Sequence, residues 1–151
     1  AKAAAEAGEK LRAAEARAAE AEGKLRAAEA KAEEEKQRRA AAAGKSPAAW
    51  YSEGIARKNE KKWPEAIAAF QNCVALNPSH SDAWFKLGVV LNEHNGAKSS
   101  EAQIEAYQRC LALDPSCGRR AAANGNLGNL LRDARKDYDG AIEMYRKATA
   151  L

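Results

Sequence analysis

A short pattern ending in an aromatic ring occurs three times in this chain, and its spacing limits the possible folds more than any other feature. Ala66-Ile67-Ala68-Ala69-Phe70, followed by Cys73, Leu76, Asn77 and Pro78, is echoed by Gln103-Ile104-Glu105-Ala106-Tyr107, followed by Cys110, Leu113, Asp114 and Pro115. A third copy, Ala141-Ile142-Glu143-Met144-Tyr145 with Ala148 and Leu151, ends the chain. The rings at 70, 107 and 145 recur at intervals of 37 and 38 residues. Each copy is preceded by another helical stretch, Trp50 to Asn59, Trp84 to Glu93 and Ala121 to Ala134. A period of this size, built from two helical stretches, predicts an all-α array in which each pair buries its apolar face against its neighbours.

The first third of the chain follows different physics. Residues 1–49 contain no aromatic side chain, whereas Trp50, Tyr51, Trp63, Phe70, Trp84, Phe85 and Tyr107 follow. Ala, Glu, Lys and Arg dominate the early segment and all favour helix, so a long helix from about Lys2 to about Ala42 is predicted. Gly44 reads as its stop, and Ser46 followed by Pro47 reads as a new N-cap with proline in the first helical turn. The chain therefore divides into a charged alanine-rich helix at 1–43, a linker at 44–46 and an array at 47–151, with pairs at 47–78, 81–115 and 118–151.

Within the long helix, Lys10-Leu11-Arg12-Ala13-Ala14-Glu15-Ala16 returns unchanged at residues 24–30, two heptads later. Leu11 and Leu25 then share a heptad position with Ala4, Ala18 and Ala32, flanked by Lys10, Arg17, Lys24 and Lys31 on one side and Glu15, Glu22 and Glu29 on the other. That seam suits a coiled coil, but alanine buries little area at roughly 25 cal/mol per Å². Three arrangements stay open: association with another helix, packing on another subunit, or an isolated charged helix.

The array resembles the tetratricopeptide repeat family, whose 34-residue unit carries W-x2-L-G-x2-Y, A-x3-F and a later proline. The first repeat shows Trp50, Gly54, Trp63, Ala66, Phe70 and Pro78; the second, Trp84, Leu87, Gly88 and Leu91; the third, Leu127, Gly128, Leu131, Tyr138, Ala141 and Tyr145. Glu53 stands where the family has Leu and Gln103 where it has Ala. Two insertions are expected to lengthen turns, residues 94–100 within the second pair and residues 117–120 before the third. The small Gly54, Gly88 and Gly128 allow a close helix approach, the rings at 70, 107 and 145 plug it, and Cys73 and Cys110 take equivalent buried places. The resemblance implies a short right-handed solenoid of three helix-turn-helix pairs behind the long helix. It also implies a non-enzymatic interaction module, an adaptor or scaffold, whose first helices line a groove for a peptide or a helix. The groove residues carried over are Tyr51, Ile55, Lys58, Phe85, Val89, Asn92, Asn126, Asn129 and Arg132, with Asn59, Glu93 and Asp133 beside them; Tyr51, Ile55, Phe85 and Val89 are the apolar anchors. The carboxylate clamp of chaperone-binding members is not expected, because its Lys and Asn sites hold Tyr51 and Ile55. Asn126 alone matches the asparagine ladder of O-linked N-acetylglucosamine transferases, since Ser52 and Lys86 fill the corresponding sites. Because arrays of this kind end in a polar cap, the face around Ile142 and Tyr145 is expected to be covered by further sequence or by a partner.

Little in the sequence points to catalysis or a cofactor. His80 and His94 lack a Cys or carboxylate at metal-ligand spacing and read as surface residues near turns. Gly125-x-x-Gly128 lies inside a helix and is no phosphate loop, and no Ser or Cys has a recognisable base. Lys and Arg number 25 against 21 Asp and Glu, but the charges are mixed. The short clusters Lys36-x-Arg38-Arg39 and Arg119-Arg120 support no specific nucleic-acid partner. No stretch reaches the roughly 18 apolar residues of a membrane span. Three cysteines without a C-x-x-C pair slightly favour a reducing compartment such as a cytoplasm or an organelle stroma or matrix, without naming one. Two further readings accompany the adaptor: a structural linker subunit held in a large assembly by a helix partner for residues 1–43, and the regulatory part of a longer enzyme.

Overall fold

A computed structural model describes residues 2–42, 44–96, 100–114 and 118–150, the side chains of 2–7, 40 and 42 excepted. Among these residues every regular element is helical: α1 (Lys2–Ala42), α2 (Pro47–Asn59), α3 (Trp63–Leu76), α4 (Ser81–Asn95), α5 (Ser100–Leu113), α6 (Arg120–Asp133) and α7 (Tyr138–Thr149). The chain forms two units, residues 1–39 and residues 40–151.

In the first unit, α1 is held by its own composition. Ion pairs one turn apart join Lys24 to Glu20 and Arg39 to Glu35, both at 2.6 Å, and Arg26 to Glu22. Each such exposed pair is worth only about 0.3–0.5 kcal/mol, so the helix rests on many small terms. Of the charges flanking the heptad seam, Lys24 and Glu22 are thus engaged within the helix. Leu11 and Leu25 are 61% and 58% exposed.

In the second unit α2 packs on α3, α4 on α5 and α6 on α7, and the pairs stack in sequence through α3 on α4 and α5 on α6. The starts follow local chemistry. Ser46 caps α2 by accepting the Ala49 amide at 3.2 Å, with Pro47 in the first turn. Asp137 caps α7 by accepting from the Gly140 amide at 2.9 Å. His80 caps α4 in the same way, its Nδ1 accepting from the Ala83 amide at 3.2 Å. His80 is half-buried, and its ring stacks on Tyr51 at 4.8 Å, so it is a packing residue and not the surface residue expected. The turns inside the first and third pairs bend through Lys61 and Lys136, both in left-handed backbone at φ 59° and 56°. His94 and Asn95 lie within the last turn of α4, which Gly96 ends at φ 52°, so the first insertion lengthens the helix, and its residues 97–99 lie outside the described residues. Arg119 holds the N-cap position of α6 without a side-chain cap bond, and Arg120 begins the helix. Pro115, Cys117 and Leu151 lie outside the described residues.

The packing within each pair repeats one contact. A Cβ built on Gly54 would lie 2.7 Å from the Phe70 ring, one on Gly88 2.8 Å from the Tyr107 ring, and one on Gly128 2.7 Å from the Tyr145 ring. These distances are well inside van der Waals contact, so only glycine lets the ring of the second helix lie against the backbone of the first. Around the contact, Ala66, Phe70, Cys73, Val74, Leu87 and Val90 form one buried cluster. Ile104, Tyr107, Cys110, Leu127, Leu131 and Ala141 form a second. The third pair is less enclosed: Tyr145 is half-buried where Phe70 and Tyr107 are buried, and Ile142 is 48% exposed.

Two outcomes follow from this packing. Gly88→Ala is expected to destabilise the array by about 1–3 kcal/mol in urea unfolding, because the buried Tyr107 ring has nowhere to move, whereas Gly23→Ala in α1 meets no neighbour and should raise helicity. Burial pushes the Cys73 thiol up to about 11 from an ordinary 9.0, so it stays protonated in the folded chain, and the stability this contributes is present below pH 9 and is lost as pH rises toward 11. In a Cys117→Ser background, Cys73 and Cys110 should therefore react with a thiol-disulfide reagent at pH 8 only after unfolding.

Candidate functional site

The stacking of α4, α5 and α6 leaves a cleft of about 200 Å³ whose lining includes Asn92, Gln103, Tyr107, Asn126 and Asn129. Asn92 comes from the last turns of α4, and Asn126 and Asn129 from one side of α6, three residues apart. The Tyr107 ring is anchored below by its contact with Gly88, and this brings its hydroxyl to the cleft, where Asn126 Nδ2 donates to it at 3.1 Å. One repeat on, the Tyr145 hydroxyl donates to Asn129 Oδ1 at 2.7 Å. Burial raises the Tyr107 hydroxyl to about 12, with the Asn126 hydrogen bond acting in the opposite direction, so it remains a neutral donor. Gln103, buried on α5, donates from Nε2 to the Gly96 carbonyl at 2.6 Å and ties the cleft to the turn after α4.

The chemistry of this cleft is that of carboxamides. Each asparagine both donates and accepts, and one tyrosine bond leaves capacity on each amide. At the rim Arg132 grips Asp133 through two bonds of 2.6 and 2.9 Å. That guanidinium holds the Asp133 carboxyl below its usual range, and the carboxylate in turn raises Arg132. The two charges pair with each other, and the Glu93 carboxylate adds a smaller upward push on the Tyr107 hydroxyl. Among the described residues no group of three or more His, Cys, Asp or Glu could hold a metal, and no helix is long and apolar enough to cross a membrane.

The expected groove residues separate into three sets. Asn92, Asn126 and Asn129 converge on the cleft, with Asp133 beside them and Arg132 exposed at its rim. Tyr51, Ile55 and Lys58 are half-buried on α2 and do not line it; Tyr51 meets Phe70 edge-to-face at 5.8 Å and Ile55 packs on the first core cluster. Phe85, expected as an apolar anchor, is instead a core residue. It is 9% exposed, meets Tyr107 edge-to-face at 5.9 Å, and has the Arg119 guanidinium 5.8 Å above its ring. The covering comes from the N-cap of the next pair, as His80 covers Tyr51, and a single repeat does not reveal it. Val89 is half-buried against the second cluster. Gln103 and the Tyr107 hydroxyl were missing from the expected set, although a polar residue at the family's alanine position was a visible signal for Gln103.

Stacked helical pairs presenting a polar cleft define a helical-repeat protein of the interaction class. Profiles of the tetratricopeptide repeat match residues 51–116 and 121–151, and the chain belongs to that family. Among solved structures, two crystal structures of MamA are similar with TM-scores of 0.60 and 0.59, both at 28% identity, over 68% of this chain and 56% and 52% of theirs. A CopN–Scc3 complex shares the fold with a TM-score of 0.57 at 20% identity, over 69% of this chain and 59% of that one. The chain thus spans between half and three-fifths of the structures it resembles. No curated protein matches the sequence.

The tyrosine–asparagine bond gives a direct check. Tyr107→Phe should fold with the same helicity, since Phe70 occupies the equivalent place, and lose about 1 kcal/mol in urea unfolding.

Proposed function

We propose that this chain is a non-enzymatic protein-interaction module that binds an extended peptide segment of a partner across the α4–α6 cleft. The observation that carries the reading is the convergence of Asn92, Asn126 and Asn129 on one cleft above the Tyr107 hydroxyl. Carboxamides pair with the free N–H and C=O groups of an extended main chain, whereas a helix has already satisfied its own. A helix in this groove would need an apolar strip, and the burial of Phe85 removes the centre of that strip. The adaptor reading is therefore the extended-peptide form.

A second reading, a linker subunit attached by its long helix, is favoured by one observation. Leu11 and Leu25, fourteen residues apart on the same heptad position, are both exposed on α1.

Peptides selected by display on the full chain separate the two. For a selected peptide, Asn92→Ala with Asn129→Ala is expected to weaken binding about tenfold in calorimetry, as loss of two hydrogen bonds implies, with the thermal melt monitored alongside. Leu11→Glu with Leu25→Glu should leave that affinity unchanged. The opposite pattern sinks the cleft and supports attachment through the helix.

A further inference from the structure

The third pair departs from the other two where they carry tryptophan. Trp50 stands four residues before Gly54 and Trp84 four before Gly88, but four before Gly128 stands Asn124. In the first two pairs the indole belongs to the packing and a cation lies over it. Lys45 Nζ is 4.5 Å from the Trp50 ring centre, and Arg109 Cζ is 6.0 Å from that of Trp84, whose Nε1 donates to the Pro78 carbonyl at 2.8 Å. The third pair has a cavity of about 530 Å³ between α5, α6 and α7 instead, with Leu111, Leu127 and Met144 in its walls. Asn124 lines it at 3% exposure. The cation is still present. Lys147 lines the cavity two residues after Tyr145, as Arg109 follows Tyr107, and it pairs with Glu143 as Arg109 pairs with Glu105.

We propose that this cavity is a socket for a tryptophan side chain of a partner protein, seated where the first two pairs hold an indole of their own. Its size is within the roughly 300–1,000 Å³ of ligand pockets. Leu111, Leu127 and Met144 supply apolar contact for the ring, and Lys147 supplies a cation for its face. The Asn124 oxygen accepts the indole N–H, which selects tryptophan over phenylalanine. The socket is separate from the asparagine cleft and does not depend on it. Asn124 and Asn126 are two residues apart on α6, about 200° around the helix.

Met144 is the single methionine of the chain, so its methyl group gives one NMR signal in the full-length protein. Titration with N-acetyltryptophanamide is expected to shift that signal saturably, and the same probe methylated on the indole nitrogen should bind about fivefold more weakly. Asn124→Trp fills the socket from within; it should raise the melting temperature and abolish the shift. Asn124→Leu keeps the cavity and should bind both probes equally. A methyl signal that does not move, or moves equally in Asn124→Trp, overturns the socket. Equal binding of the two probes by the unsubstituted chain overturns recognition through Asn124.

Discussion

The array depends on the contact between a glycine in the first helix of each pair and an aromatic ring in the second. Because no Cβ intervenes at Gly54, Gly88 or Gly128, each ring lies directly against helix backbone and sets how closely the pair packs. The consequences spread outward. The ring position fixes where the hydroxyls of Tyr107 and Tyr145 emerge, and those hydroxyls orient Asn126 and Asn129. A stabilising contact inside the pair thus becomes a positioning contact for the surface. Phe70, which lacks the hydroxyl, keeps the packing and contributes nothing to the cleft.

Between pairs the governing contact is a different one. The residue three before each glycine, Tyr51 or Phe85, meets the ring of its own pair and is then covered by the capping residue of the next, His80 or Arg119. In the third pair this residue is Gly125, where a Cβ would meet nothing within 4 Å. The third pair therefore departs from the repeat twice, at the adjacent positions Asn124 and Gly125 of the same helix. Regular packing holds the array together, and chemical individuality collects where the repeat gives up a large ring.

The long helix obeys simpler rules. Its charges pair one turn apart, its interior glycines meet almost nothing, and its two leucines remain in solvent. Helix propensity and local pairing account for its secondary structure without tertiary packing. The contrast with the array, where Tyr107, Ile104 and Gln103 are all but sealed, is the contrast between local and non-local stabilisation.

Local physics explains what could be read from the chain alone. The helix positions, the Ser46 cap, the glycine–ring partnership and the buried Cys73 and Cys110 all follow from residue spacing, because each depends on neighbours one turn or one helix away. The extension of α4 through His94 and Asn95 was less legible, since polar residues near a glycine resemble a turn until the helix is seen to continue. The surface belonged to tertiary structure. Phe85 looks like an exposed anchor in the periodicity of α4, yet Tyr107 of its own pair and Arg119 of the next enclose it. Asn126 and Asn129 look like solvent-facing residues of α6, yet one meets a hydroxyl carried by the preceding pair. Asn124 reads as an ordinary polar residue until its register with Trp50 and Trp84 is set beside the cavity it lines. Sequence by itself determined the repeat and its internal packing, because the steric demand of a ring against a glycine is written in residue types. Which side chains stay open on the surface was decided only by the stacking of one pair on the next, because burial there is supplied by residues about thirty positions away, His80 over Tyr51 and Arg119 over Phe85.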